Sequence, residues 1–284
     1  MRVMITGAAG QLGYDLTRCF TDAGDDVTAL SRADLDVTDA AAVTAAVQQA
    51  APNVVVHSAA FTKVDACETQ PETAWGVNAT ASWWIARACE ASGAAMVYLS
   101  SDYVFDGTHG RPYTEFDRVN PVSMYGRSKE AGEQKVRQTL EDHYIVRTSW
   151  VHGVAGANFA TTMLRLGRER GAVSVVDDQT GSPTFTADLA PQIRNLVQAR
   201  IPGTYHLTNS GHCTWFEFAR AIFDLAGVPV ELSPTDTASF GAPAPRPAYS
   251  VLDNLLARQI GLPPMRAWQD SLAIMLAELD QARG

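Results

Sequence analysis

Lysine is scarce in this chain, and so is positive charge of any kind. Its 284 residues carry 22 basic against 31 acidic side chains, a formal charge of −9, and nowhere a run of Lys and Arg. That balance excludes a binder of nucleic acid or of anionic membranes, which needs a basic face. The 4 cysteines, Cys19, Cys67, Cys89 and Cys213, are scattered, with no C-x-x-C and no histidine at metal-ligand spacing. They read as reduced thiols of a cytosolic protein, not as a disulfide framework or a zinc site. No stretch reaches the roughly 18 uninterrupted apolar residues of a membrane span, and the chain opens without a signal-peptide h-region. The expectation is a cytoplasmic protein with no membrane partner.

What is present is a globular composition, 46% hydrophobic, long enough for one large domain or two coupled ones. Val3-Met4-Ile5-Thr6 runs into Gly7-Ala8-Ala9-Gly10-Gln11-Leu12-Gly13 and then into a helical stretch from Tyr14. Strand, glycine-rich turn and helix form the context that dinucleotide binding requires. Glycines at 7, 10 and 13 permit a tight turn, close approach to a pyrophosphate and close helix packing, and the helix N-terminus offers free N–H groups. The spacing is Gly-x-x-Gly-x-x-Gly, and Gln11 and Leu12 lie inside it. The second strand, Val27 to Leu30, ends on Ser31 and Arg32 where an acidic residue would hold a free ribose 2′-hydroxyl. An Arg there suits a 2′-phosphate, which favours NADPH and leaves NADH open. Asp36 either caps or touches the adenine, and Asp39 reads as a helix N-cap.

The third strand, Val54 to His57, delivers Ser58-Ala59-Ala60-Phe61-Thr62, small residues suited to a backbone running under a nicotinamide ring. His57 itself reads as structural. Helical spacing covers Glu72 to Ala91, with Trp75, Trp83 and Trp84 as core or interface residues and Asn78 as a polar exception able to bridge backbone. Strands follow at Ala95 to Leu99, Tyr144 to Arg147 and Thr204 to Leu207. Alternating strands and helices predict an α/β fold with a doubly wound parallel sheet, Rossmann-like, and a smaller C-terminal substrate-binding lobe. Residues 1–150 form the dinucleotide-binding part, joined by strands from about 171–210, and 151–284 form mainly the substrate lobe. The segment from Asp177 to Thr184 is too polar and turn-rich for core. Thr214-Trp215-Phe216-Glu217 is a capping box opening a helix to about Ala226, and the prolines between 231 and 248 predict an extended loop.

Between the fourth and fifth strands lies the chemistry. Ser101, Asp102 and Tyr103 follow a strand end, and Tyr125-Gly126-Arg127-Ser128-Lys129 places a phenol and an amine one helical turn apart. With 8 tyrosines and only Lys63, Lys129 and Lys135 for lysines, chance supplies about 0.08 such pairs. A hydroxyl, a phenol and an ammonium can converge on one carbonyl.

Six segments together resemble the short-chain dehydrogenase/reductase superfamily in its extended, sugar-nucleotide-modifying branch: Thr6 to Gly13, Ala59 to Asp65, Ser100 to Gly107, Tyr125 to Lys129, Arg147 to Trp150 and Asp178 to Thr184. The resemblance covers nearly the full length. It implies NADPH-dependent reduction of the C4 ketone of a dTDP-linked 6-deoxyhexose, giving dTDP-L-rhamnose. It implies that Ser101 polarises the carbonyl, that Tyr125 donates the proton, and that Lys129 binds the nicotinamide ribose and supports the tyrosine. Close relatives usually carry Thr at position 101; the hydroxyl survives. Val64, Asp102, Tyr103 and Trp150 are substrate-side residues by the same resemblance, the loop from Gln179 to Thr184 helps build the pocket, and Arg246 is a candidate for the diphosphate. Some relatives dimerise with Mg²⁺ held by acidic side chains; no ligand set here matches, so no metal site is transferred and a homodimer stays open. The rival readings are a reductase of another dTDP-4-keto-deoxysugar such as the dihydrostreptose precursor, a sugar-nucleotide epimerase, for which the chain is short, and a non-catalytic NADP-binding regulatory subunit.

Overall fold

The computed structural model describes residues 1–281. The first half alternates strand and helix: β1 (Arg2–Thr6), α1 (Gln11–Asp22), β2 (Asp26–Leu30), α2 (Ala40–Ala50), β3 (Val54–His57), α3 (Val64–Thr69) and α4 (Pro71–Trp75). A π-helical turn over Gly76–Thr80 leads into α5 (Ala81–Ser92), followed by β4 (Ala95–Ser101), α6 (Met124–Thr139) and β5 (His143–Thr148). The second half holds β6 (Val151–His152), α7 (Phe159–Arg170), β7 (Ala172–Val176), β8 (Thr180–Gly181), β9 (Thr184–Phe185), α8 (Thr186–Ala199), β10 (Gly203–His206) and β11 (Cys213–Thr214). It ends with α9 (Trp215–Ala226), β12 (Glu231–Thr235), α10 (Thr237–Phe240), α11 (Leu255–Gln259) and α12 (Trp268–Gln281).

Six strands form one sheet in the order β10-β5-β4-β3-β1-β2, every neighbouring pair parallel. β3 and β4 are buried along their whole length, as central parallel strands covered on both faces must be. One face packs against α1 and α8 through Val3, Ile5, Leu16, Phe20, Leu189 and Ile193; the other packs against α2, α5 and α6 through Met4, Val43, Val55, Ile85, Met96 and Val136. The chain leaves β1 to one side for β2 and returns on the other for β3. That reversal opens a crevice at the carboxyl ends of the strands, where open α/β sheets hold ligands.

A smaller lobe covers that crevice. Its core joins α7, α9 and α12 through Met163, Phe218, Ile222, Phe223, Leu272 and Met275. Around them lie three short two-stranded ladders, β6 with β9, β7 with β12 and β8 with β11. No described helix is long and apolar enough to cross a membrane.

The structure corrects four expectations. Residues 231–248 are not simply an extended loop, because Glu231–Thr235 pairs in parallel with β7. Pro234 is tolerated there since β12 is an edge strand. β7 belongs to this lobe, so of the strands within 171–210 it is β10 that joins the main sheet. The segment 177–184 is partly core: Asp177 and Asp178 stay exposed, but Gln179, Ser182 and Thr184 are buried. Their polar atoms have protein partners, the Gln179 amide donating to Thr237 Oγ1 at 2.9 Å and Ser182 Oγ to the Gly211 carbonyl at 2.8 Å. Finally, the helix expected over Glu72 to Ala91 is broken by the π-helical turn, which turns Asn78 inward. Its amide brackets the Phe61 backbone at 2.8 and 3.1 Å and donates to Ser128 Oγ at 2.9 Å, tying the β3 exit to α6.

Candidate active site

The crevice is a cavity of about 1190 Å³ running from Arg32 to Trp215. Its first wall is main chain. Gly7 sits at φ +71°, and a Cβ on it would lie 2.7 Å from the Ala59 nitrogen. A Cβ on Gly13 would lie 2.2 Å from the Gly7 carbonyl oxygen, so α1 can approach the turn only through a glycine. Gly10 differs: its Cβ would meet just the Gly7 oxygen, at 3.2 Å, and otherwise open space. Gly10 also begins α1 without a side-chain cap, leaving the first N–H groups of a 12-residue helix facing the cavity. A cradle with free N–H donors and no side chain fits a pyrophosphate. Gln11 and Leu12 line it too, but the Gln11 side chain points across the crevice, its Oε1 accepting from Gly153 N and Asn158 Nδ2, each at 3.0 Å.

Ala59, Ala60 and Thr62 continue this wall, and Arg32 and Asp36 close its far end. Asp36 is committed to Thr38, accepting from its backbone N–H at 3.0 Å and its hydroxyl at 2.7 Å. Ser31, next to Arg32, is not among the lining residues, and its hydroxyl donates to Asp34 at 2.6 Å.

At the centre, Ser123 caps α6 through the Gly126 N–H at 3.1 Å. Gly126 lets α6 settle against the turn after β4, since a Cβ would fall 2.1 Å from the Tyr103 carbonyl. The Tyr125 phenol and Lys129 ammonium thereby reach the end of β4 beside Ser101. Burial pushes the phenol above its ordinary range, and the Ser101 hydroxyl pulls it back toward ionisation. Lys129 is 2% exposed; its Nζ donates to the Leu99 carbonyl at 2.5 Å and lies 4.3 Å from the Tyr98 ring centre. Burial brings it down to about 7, opposed by the Glu133 carboxylate one turn along.

Ser101 Oγ accepts from the Tyr103 N–H at 3.1 Å and donates to Asp102 Oδ1 at 2.9 Å. The second Asp102 oxygen accepts from Ser250 at 2.6 Å, and burial raises this carboxyl to about 6. Beneath them Glu133 is fully enclosed. It accepts from Ser100 at 2.6 Å and from two nitrogens of Arg147 at 2.8 and 2.7 Å, with Arg137 as a third donor residue. Burial alone would raise Glu133, but the two guanidinium groups outweigh it and hold the carboxyl low.

The opposite wall is aromatic. Trp150 takes φ +45°, a left-handed conformation that costs roughly 1–3 kcal/mol for a bulky residue. Three contacts hold it: Trp215 stacks on its ring at 3.5 Å and 7°, Gly181 leaves the space that a Cβ would take 2.5 Å from the indole, and His152 Nδ1 donates to the Trp150 carbonyl at 2.5 Å. Val64, Asp102, Tyr103 and Trp150 line the cavity; the segment 179–184 does not, and shapes it from behind through Gly181. Arg246 stands just behind this wall, beside Tyr103, and its guanidinium pairs with Asp65 at 2.9 Å. Trp215, Thr148 and Ser149 line the site without having been singled out in the sequence. Trp215 was hidden in plain view at the first position after the Thr214 cap, where an apolar residue reads as core. Among the described residues no cluster of three or more His, Cys, Asp or Glu is arranged to hold a metal ion.

Three comparisons bear on this arrangement. A family model described as "RmlD substrate binding domain" matches residues 1–281. The chain is 45% identical to the dTDP-4-dehydrorhamnose reductase of Streptomyces griseus, covering 95% of this chain and 91% of that one. It is 41% identical to a dTDP-4-keto-6-deoxy-D-glucose reductase of Streptomyces niveus, covering 95% of each. Among solved structures, dTDP-4-dehydrorhamnose reductase from Bacillus anthracis in complex with NADP superposes with a TM-score of 0.95 at 42% identity, over 98% of this chain and 99% of that one.

Proposed function

This chain belongs to the RmlD substrate-binding-domain family, and we propose that it is an NADPH-dependent reductase converting the C4 ketone of dTDP-4-dehydro-L-rhamnose into the alcohol of dTDP-L-rhamnose. The observation that carries this is the meeting of Ser101, Tyr125 and Lys129 in one cavity whose adjoining wall is the uncapped glycine cradle. NADP bound to the Bacillus anthracis relative, together with Arg32 at the adenosine end, supports the phosphorylated cofactor.

When bound, the reduced nicotinamide supplies the hydride. The protein's share is to place the ketone and manage one proton. Tyr125 donates that proton to the C4 oxygen as negative charge develops on it. The phenolate left behind is stabilised by the Lys129 ammonium, the residue that would also hold the nicotinamide ribose. Ser101 steadies the same oxygen. Its hydroxyl donates to Asp102, so donation to the ketone requires it to rotate away from that carboxylate. Trp150, Val64 and Tyr103 bound the sugar side. The Streptomyces niveus relative, named for a different dTDP-keto sugar, makes the reductase of another dTDP-4-keto-6-deoxysugar the second reading.

Adding dTDP-4-dehydro-L-rhamnose to enzyme and NADPH should oxidise the cofactor mole for mole with formation of dTDP-L-rhamnose. Tyr125→Phe should lower turnover by about 10²- to 10⁴-fold, the share general acids supply, with NADPH affinity unchanged. Near-normal turnover in that variant would defeat the assignment, and faster oxidation with another 4-keto sugar nucleotide would favour the second reading.

A further inference from the structure

Five buried side-chain polar atoms among the described residues lack a hydrogen-bond partner: His57 Nε2, Glu115 Oε2, Thr148 Oγ1, His152 Nε2 and Trp268 Nε1. Four belong to residues that do not line the cavity; Thr148 alone belongs to one that does. A buried hydroxyl left unpaired is costly, and evolution seldom leaves one in a place where valine would pack equally well.

Its place in the sheet says what it faces. β4 and β5 run in parallel register, with Ser100 opposite Arg147 and Ser101 opposite Thr148. Ser100 and Arg147 both turn to Glu133 beneath the site. The pleat sends the next pair the other way, so Thr148 and Ser101 stand side by side on neighbouring strands about 4.8 Å apart. Ser101 is the hydroxyl assigned to the ketone, and it has neighbours in Asp102 and the Tyr103 N–H. Thr148, 5% exposed, has none. The glycine cradle lies beyond β3, at the other end of the β4-β3-β1 sequence of strands. A dinucleotide starting at that cradle and crossing β3 and β4 brings its ring end to the β4–β5 boundary. The groups that end presents are a carboxamide, with one acceptor and two donors, and a ribose that Lys129 already serves.

We propose that the Thr148 hydroxyl binds the carboxamide of the nicotinamide ring, fixing the ring's rotation and so the face from which hydride leaves. This rests on the reductase reading above. A hydroxyl suits the task because it can donate to the carboxamide oxygen or accept from its nitrogen. Thr148→Val removes the hydroxyl while keeping the β-branched shape, and Thr148→Ser restores it.

The measurement is equilibrium titration followed by protein fluorescence, with NADPH and with 2′-phospho-ADP-ribose, which retains everything but the nicotinamide. Thr148→Val should bind NADPH about five- to tenfold more weakly, bind 2′-phospho-ADP-ribose as the parent does, and keep its melting temperature. Thr148→Ser should bind both like the parent. Equal loss for the two ligands, unchanged NADPH affinity, or a loss confined to KM for the sugar nucleotide would each overturn the proposal. If Thr148→Val fails to fold, the Ser variant decides: loss of NADPH affinity with the hydroxyl present would overturn it, and parental affinity for both ligands would support it. Failure of the parent enzyme itself to bind NADPH would instead strike at the reductase reading.

Discussion

On the glycine side the cavity is walled by backbone, and its shape is set by what is missing: two side chains, at Gly7 and Gly13, whose first carbon would strike Ala59 or the turn itself. On the tryptophan side it is walled by side chains, and its shape is set by what has been added from far along the chain, Gly181 behind Trp150 and Trp215 across it. The glycine turn of the first wall is made within a span of seven residues. The second needs β5, β8 and α9 to fold together before either indole has a defined position. A wall of backbone tolerates no added atom. One of stacked side chains can lose an atom and relax.

Gly13→Ala should therefore have the largest effect. Its Cβ would sit 2.2 Å from the Gly7 oxygen and 2.7 Å from the Ala8 Cα, both main-chain atoms without rotamers to yield. The turn must open away from α1, spoiling the cradle. NADPH affinity should fall by about 100-fold, equivalent to roughly 2.7 kcal/mol, in a protein that still binds dTDP. Parental affinity for NADPH would mean the turn is softer than its contacts indicate.

Trp215→Ala comes next, on the other wall. Removing the stacked partner forfeits an aromatic contact worth about 0.5–1.5 kcal/mol and frees a strained Trp150 to relax. KM for the sugar nucleotide should rise by about tenfold with NADPH affinity unchanged, and the exciton signal of two stacked indoles should vanish from the circular dichroism spectrum. Trp215→Phe should recover part of the loss. An increase in the NADPH dissociation constant as large as that in KM would show that the two walls are not independent.

The same contrast explains which residues could be read from the sequence. Gly7, Gly10, Gly13, Tyr125 and Lys129 carry their meaning in local spacing, because a turn and one helical face are local objects. Trp150 was reachable as the residue just beyond a strand end. Trp215, Gly181 and Thr148 carry theirs only across 30 or more residues of chain, through a stacking, a vacancy and a strand register. Arg246 shows the limit from the other side: the sequence offers a guanidinium beside prolines, and only the fold shows Asp65, distant in sequence, paired with it. The burial of Gln179, Ser182 and Thr184 was hidden for the same reason, since polarity counts against core only until a partner is found.

Each wall also rests on a buried histidine. His57 precedes Ser58 beneath the backbone wall and bonds Thr6 Oγ1 through Nδ1 at 2.7 Å; His152 packs among Phe185, Trp215 and Phe218 and holds the Trp150 carbonyl. Burial brings His57 down to about 3 and His152 to about 4, and His206, beside Arg147, to about 3. A histidine depressed in the folded state adds stability that is complete above its unfolded value near 6.5 and is lost as pH falls below it, because the unfolded chain takes up the proton first. Between pH 7.5 and 6 each should cost somewhat under about 1 kcal/mol. Asp102, raised to about 6, and Lys129, brought down to about 7, work in the opposite sense: across this range each gains a proton in the folded form while its charge in the unfolded chain stays fixed, which offsets part of the loss. Denaturant titrations across this range should show stability falling with acidity in the parent. In His152→Gln the fall should be shallower by one residue's share, because glutamine keeps a donor for the Trp150 carbonyl and has no proton to gain. An equally steep fall would mean that His152 is not held neutral, and that the aromatic wall stands on Trp215 and Gly181 alone.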